Sequence, residues 1–135
     1  MNTLTVEAKI ANLGKVLAFV ESELEKTDCG IKACMQISIA VEELFVNVAH
    51  YAYTPGTGDV TIGVESYDDP GLVEITLTDS GIPYDPLSKD DPDVTLSAED
   101  RKIGGLGIYM VKKSMDLLEY ERVDGKNVVT ISKYF

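Results

Sequence analysis

The chain has one histidine and two cysteines in 135 residues. With only His50, Cys29 and Cys34 to offer, a Cys/His metal cluster has too few donors. Two cysteines separated by four residues in a glycine-containing stretch build no disulfide framework, and they fit free thiols in a reducing cytoplasm, the compartment expected here. Basic side chains are scarce, with 12 Lys and Arg against 23 Asp and Glu and a formal net charge of −11. Nucleic acid and anionic membrane both need a basic face, so neither is expected as a partner. Phosphate groups stay possible ligands, because backbone dipoles and magnesium can hold them in place of lysines. No apolar run approaches the roughly 20 residues that span a bilayer. Met1 to Ala11 is interrupted by polar residues, unlike an export or transit signal.

What is present suits a folded domain. Hydrophobic residues make up 44% of the chain, too many for a disordered tail. The length fits one domain, residues 1–135, able to bury roughly two thirds of its unfolded surface. Leu4, Val6 and Ala8 alternate with polar residues, predicting a strand over Thr3 to Ala8. Leu13, Val16, Leu17, Val20 and Leu24 recur at helical spacing up to the Asp28-Cys29-Gly30 break. A second helix is expected over about Lys32 to Tyr53, before Pro55-Gly56. From Asp59 the period becomes two, with Val60, Ile62 and Val64 on one strand face and Val73, Ile75 and Leu77 on one face of the next. Ser80 to Lys102 has three prolines, many acids and no apolar period, which reads as a functional loop or lid. Ile108, Val111, Met115 and Leu118 mark another helix, and two strands follow around an Asp124-Gly125 turn. This order implies an α+β two-layer sandwich, with helices on one face of a mixed, mostly antiparallel sheet.

Three short stretches carry chemistry. On the second helix the apolar face is Ile37, Val41, Leu44, Phe45, Val48 and Ala52. Glu43, Asn47 and His50 fall on the opposite side, within about 60° of one another. A carboxylate and an amide one turn apart could align a nucleophile and ligate Mg²⁺, or could simply face solvent. In the strand reaching Asp79, the alternation continues the buried row of Val73, Ile75 and Leu77 into a carboxylate. An inward carboxylate needs donors, and the amine of adenine is one candidate; a strand-ending turn explains the same residues. Gly104-Gly105-Leu106-Gly107 precedes a helix, where free N–H groups can converge on an anion or the glycines can serve close packing. No Gly-Lys-Ser/Thr follows them, so they are not a Walker A loop.

Taken in order, Glu43-x-x-x-Asn47, Asp79-x-Gly81-x-Pro83 and Gly104-Gly105-Leu106-Gly107 resemble the N, G1 and G2 boxes of the GHKL ATPase superfamily. The phrases Val41-Glu42-Glu43-Leu44-Phe45-Val46-Asn47 and Gly81-Ile82-Pro83-Tyr84-Asp85-Pro86 are similar to those of anti-sigma factor serine kinases of the RsbW and SpoIIAB type. The resemblance implies a Bergerat fold that binds ATP and Mg²⁺. It makes Glu43 the general base, Asn47 the magnesium ligand, Asp79 the acceptor of the adenine amine, and Gly81 the neighbour of the ring. Gly104, Gly105, Leu106 and Gly107 would supply backbone donors to the phosphates. Thr130 matches a last-strand position that supports the adenine-binding aspartate through water. Arg101 and Lys102 are the cations nearest the glycines. The implied substrate is a STAS-domain anti-sigma antagonist, with a sigma factor as competing partner and a homodimer as the assembly. A nucleotide-gated module that sequesters a regulator without phosphorylating it is the other reading.

Overall fold

A computed structural model describes residues 1–88 and 105–135. Five strands, β1 (Asn2–Glu7), β2 (Asp59–Tyr67), β3 (Leu72–Asp79), β4 (Leu117–Val123) and β5 (Lys126–Tyr134), form one sheet in the order β1-β2-β3-β5-β4. All four pairings are antiparallel, so the sheet is more regular than the mixed one expected. Three helices, α1 (Leu13–Leu24), α2 (Ile31–Asn47) and α3 (Gly105–Ser114), make the second layer.

The strand alternation decides which face the helices cover. Val60, Ile62 and Val64 of β2, Val73, Ile75 and Leu77 of β3, and Val129 and Ile131 of β5 are all buried. They meet Val16, Val20 and Leu24 of α1, Ile37, Val41, Leu44 and Phe45 of α2, and Ile108 and Val111 of α3. Each such aliphatic side chain contributes roughly 1.5–3 kcal/mol on burial. The other face carries cross-strand threonines: Thr61 pairs with Thr5 and Thr78, and Thr76 with Thr130. β-Branched residues with a hydroxyl suit a half-wet sheet face.

One boundary differs from the periodicity. α3 ends at Ser114, Met115 is buried just beyond it, and Leu118 lies in β4. Leu118 faces Ile131 across the β4–β5 pair and packs on the core from the sheet, not from a helix. The β4–β5 turn is the expected one: Asp124 and Gly125 have φ of 51° and 77°, the left-handed pair of a type I′ hairpin. Among the described residues no helix is long and apolar enough to cross a membrane.

Candidate functional site

The C-terminal half of α2, the end of β3 and the start of α3 converge on one small region. α2 gives way after Asn47 to a π-helical turn, Val48–Ala52, a widening that recurs at functional sites. Its last carbonyl, on Ala52, accepts the N–H of Ile82 at 2.9 Å, so the loop after β3 docks on the helix end through backbone. Gly81 has to be glycine for that contact, since a Cβ there would stand 2.2 Å from the Ala52 oxygen. The hydroxyl of Tyr53 fixes the same corner: it donates to the Asp59 carbonyl at 2.6 Å and accepts the Ser80 N–H at 2.7 Å. Burial pushes that phenol above its ordinary pKa, so it stays protonated and able to donate.

Asp79 ends the buried row of β3 and is 5% exposed. Its Oδ1 accepts the N–H of Gly81 and the Nδ2 of Asn127, each at 2.9 Å. Asn127 stands directly opposite Asp79 in the β3–β5 register and is itself buried. Its Nδ2 also donates to the Ile82 carbonyl at 2.7 Å. Its Oδ1 accepts from the Tyr120 hydroxyl at 2.6 Å, the Arg122 Nη1 at 3.0 Å and the Tyr84 N–H at 3.4 Å. Arg122 Nη1 further donates to the Gly81 carbonyl at 2.8 Å. One side-chain amide thus ties the aspartate, the loop behind it and the β4–β5 hairpin together.

Glu43 and Asn47 are both half-buried, so the expected solvent-facing side of α2 is enclosed at this end. Asn47 lines a cavity of about 20 Å³ with Asp79, Tyr84, Pro86 and Asn127, room for about one water. The Nδ2 of Asn47 is sealed from solvent and has no hydrogen-bond partner among the described residues. An unmade bond on a buried amide costs about 1–3 kcal/mol, which packing alone gives no reason to retain. Over this corner the Tyr84 ring stacks on Tyr51, with centroids 5.4 Å apart and planes 20° from parallel. His50 lies exposed on the π-turn beyond Asn47.

Gly105, Leu106 and Gly107 are the first turn of α3, whose N–H groups have no acceptor within the helix. Gly107 packs so closely on Glu43 that a Cβ there would lie 2.1 Å from the carboxyl carbon and Oε1. A carboxylate against a helix N-terminus is electrostatically favoured, and the same donors suit a phosphate oxygen. Gly104, Arg101 and Lys102 lie outside the described residues.

Of the expected residues, Asp79 therefore lines one cavity with Asn47, Gly81 donates to Asp79, and Gly107 packs on Glu43, one helical turn from Asn47 on α2. Thr130 does not join them. Strand alternation turns it to the opposite sheet face, across from Thr76 and Glu119, while the inward neighbours on β5 are Asn127, Val129 and Ile131. Asn127 was the missed residue, and the same two-residue alternation that marks Asp79 also marks it.

Residues 6–133 match the histidine kinase-like ATPase domain family. The chain belongs to that family. It is 30% identical over 140 residues to the serine-protein kinase RsbW of Halalkalibacterium halodurans, covering 97% of this chain and 81% of the relative. It is 28% identical over 98 residues to the serine/threonine-protein kinase BtrW of Bordetella bronchiseptica, covering 73% of this chain and 68% of that protein. The match to RsbW of Bacillus cereus spans 62% of that relative's length. The fold superposes on the crystal structure of the RsbU and RsbW domains from a Mycobacterium tuberculosis protein with a TM-score of 0.65 at 15% identity, covering 98% of this chain and 32% of that one. The five-stranded antiparallel sheet with three helices is thus the GHKL-type α+β fold.

Proposed function

We propose that this protein binds ATP with magnesium between α2, Asp79 and the start of α3, and transfers the γ-phosphate to a serine or threonine hydroxyl of a STAS-domain anti-sigma antagonist. A sigma factor would compete for the same protein in the cytoplasm. The observation that carries the reading is the sealed Nδ2 of Asn47, without a partner among the described residues, in a cavity it lines with Asp79 one helical turn from Glu43. Folding tolerates such a group where a ligand completes it.

The residues fit this ligand. Asp79 keeps Oδ1 occupied by two N–H donors, which leaves Oδ2 to accept an exocyclic amine. The first-turn N–H groups of α3, at Gly105 to Gly107, suit phosphate oxygens. Asn47 can offer its amide oxygen to magnesium or, turned half a revolution, its nitrogen to a phosphate; the bound ion would offset charge on the transferring group. Glu43, one turn away, accepts the proton of the attacking hydroxyl as the new P–O bond forms and the bond to ADP breaks. Little covalent work is asked of the protein beyond this positioning.

The test is transfer of labelled γ-phosphate to a STAS-domain protein, with Glu43→Gln as the control. Transfer in the wild type that falls at least about a hundredfold in the variant, with ATP affinity retained, is expected. A stable ATP-dependent complex with no transfer would replace the kinase with a nucleotide-gated binding module.

A further inference from the structure

The N-terminal half of α2 has an apolar edge that its own fold does not cover. Ile31, Met35 and Ile39, at i, i+4 and i+8, are 82%, 60% and 58% exposed. They form a ridge about 12 Å long, two helical turns, along a groove between α1 and α2. The groove has a volume of about 640 Å³, and its floor is Leu24, Cys29 and Cys34. Burial beside Cys34 pushes the Cys29 thiol up to about 12, so it stays neutral and packs as a small apolar group. The charged side chains lining the groove are Glu21 and Glu25, both on the α1 rim and both exposed.

We infer that this groove is a docking site for an amphipathic helix of a partner protein, one with an apolar seam at i, i+4 spacing and Lys or Arg beside it. Three residues in a line two turns long match the footprint of a helix laid in a groove better than that of a small molecule, which an enclosing pocket would surround. Two carboxylates on one rim, in a chain of net charge −11, favour cationic flanks and disfavour a second copy of the same face. The site lies at the other end of α2 from Asn47 and stands independently of the nucleotide reading.

The absence of tryptophan from the chain gives a clean probe. A synthetic Leu–Lys amphipathic helix of about five turns, with one tryptophan on its apolar seam, is titrated with the protein in the absence of nucleotide. A blue shift and saturable binding are expected, and a Leu–Glu version of the peptide should not bind. Met35→Gln with Ile39→Gln removes two of the ridge's three apolar side chains without changing charge and should weaken binding at least about tenfold. Glu21→Gln with Glu25→Gln should weaken it less and flatten its salt dependence. Circular dichroism confirms that the variants fold, which their exposure leads us to expect. Unchanged affinity in the Met35/Ile39 variant would mean diffuse attraction to an acidic surface and would overturn the proposal. So would absence of peptide binding, or a wild-type dimer that this variant converts to monomer, since the face would then belong to a second copy.

Discussion

The two ends of α2 depart from simple packing in opposite senses. At the N-terminal end, Ile31, Met35 and Ile39 hold apolar side chains in water. At the C-terminal end, Asn47 holds its amide nitrogen out of water with no partner among the described residues. Between them Ile37, Val41, Leu44 and Phe45 obey the ordinary rule and are buried. A helix whose middle is optimised for the core and whose ends are not points to binding at both ends: an apolar ridge wants a surface, and a dry amide wants a polar ligand.

The largest effect tests what holds the polar end together. Asn127→Leu deletes five hydrogen bonds and leaves the Asp79 carboxylate and the Arg122 guanidinium short of partners. It should cost about 3 kcal/mol in urea unfolding, since each stranded buried group costs about 1–3 kcal/mol. A loss below about 1 kcal/mol would show that the loop after β3 is held by its Ala52, Tyr53 and Arg122 contacts and not by Asn127. Asn47→Leu should behave in the reverse way. Replacing an unpartnered amide by an apolar side chain of similar size should leave stability unchanged or raise it by about 1 kcal/mol, while ATP affinity is lost. Destabilisation instead would mean that the amide belongs to the fold.

Glu23 of α1 sharpens the contrast, because it is a buried polar group with partners. Its carboxylate accepts from Lys26 and Asn2, and those bonds hold its pKa below the ordinary 4.5. A carboxyl whose folded pKa is depressed adds stability above its unfolded pKa and loses it as pH falls through the folded value. Between about pH 5 and about pH 3 the wild type should therefore lose stability more steeply than Glu23→Gln. Equal slopes would mean that those bonds persist in the unfolded chain or do not form. The smallest effect belongs to the other end of α2: Ile39→Lys should change stability by no more than about 0.5 kcal/mol, as an exposed side chain should.

Much of this was legible in the residues, and the failures have physical causes. The inward row of Val73, Ile75 and Leu77 leads to Asp79 by alternation alone, and the sheet honours it. The same rule separates Thr130 from Asp79 and brings in Asn127, but it acts only once the β3–β5 register is known. That register joins strands far apart in sequence and leaves no local signature. Leu118 sits at a helix-compatible interval from Met115, yet the pairing of β4 with β5 claims it for the sheet. Glu43 and Asn47 read as the wet side of α2 because a helical wheel does not show that α3 and the Tyr84 loop close over that side. Of the glycines, Gly107 meets the close packing that is one of its two readings, against Glu43, whereas Gly81 is held by the Ala52 carbonyl, a contact between segments far apart in sequence that leaves no local signature.

The central claim, that the polar end of α2 is a nucleotide site, is tested most directly by calorimetric titration of ATP with magnesium into the wild type and Asp79→Asn. The substitution keeps an oxygen for Gly81 and Asn127 but can turn a donor toward the base, where an amine needs an acceptor. Saturable binding in the wild type, weakened at least about tenfold in a variant of unchanged fold, is the predicted result. No heat at millimolar ATP, or equal affinity in both proteins, would contradict it.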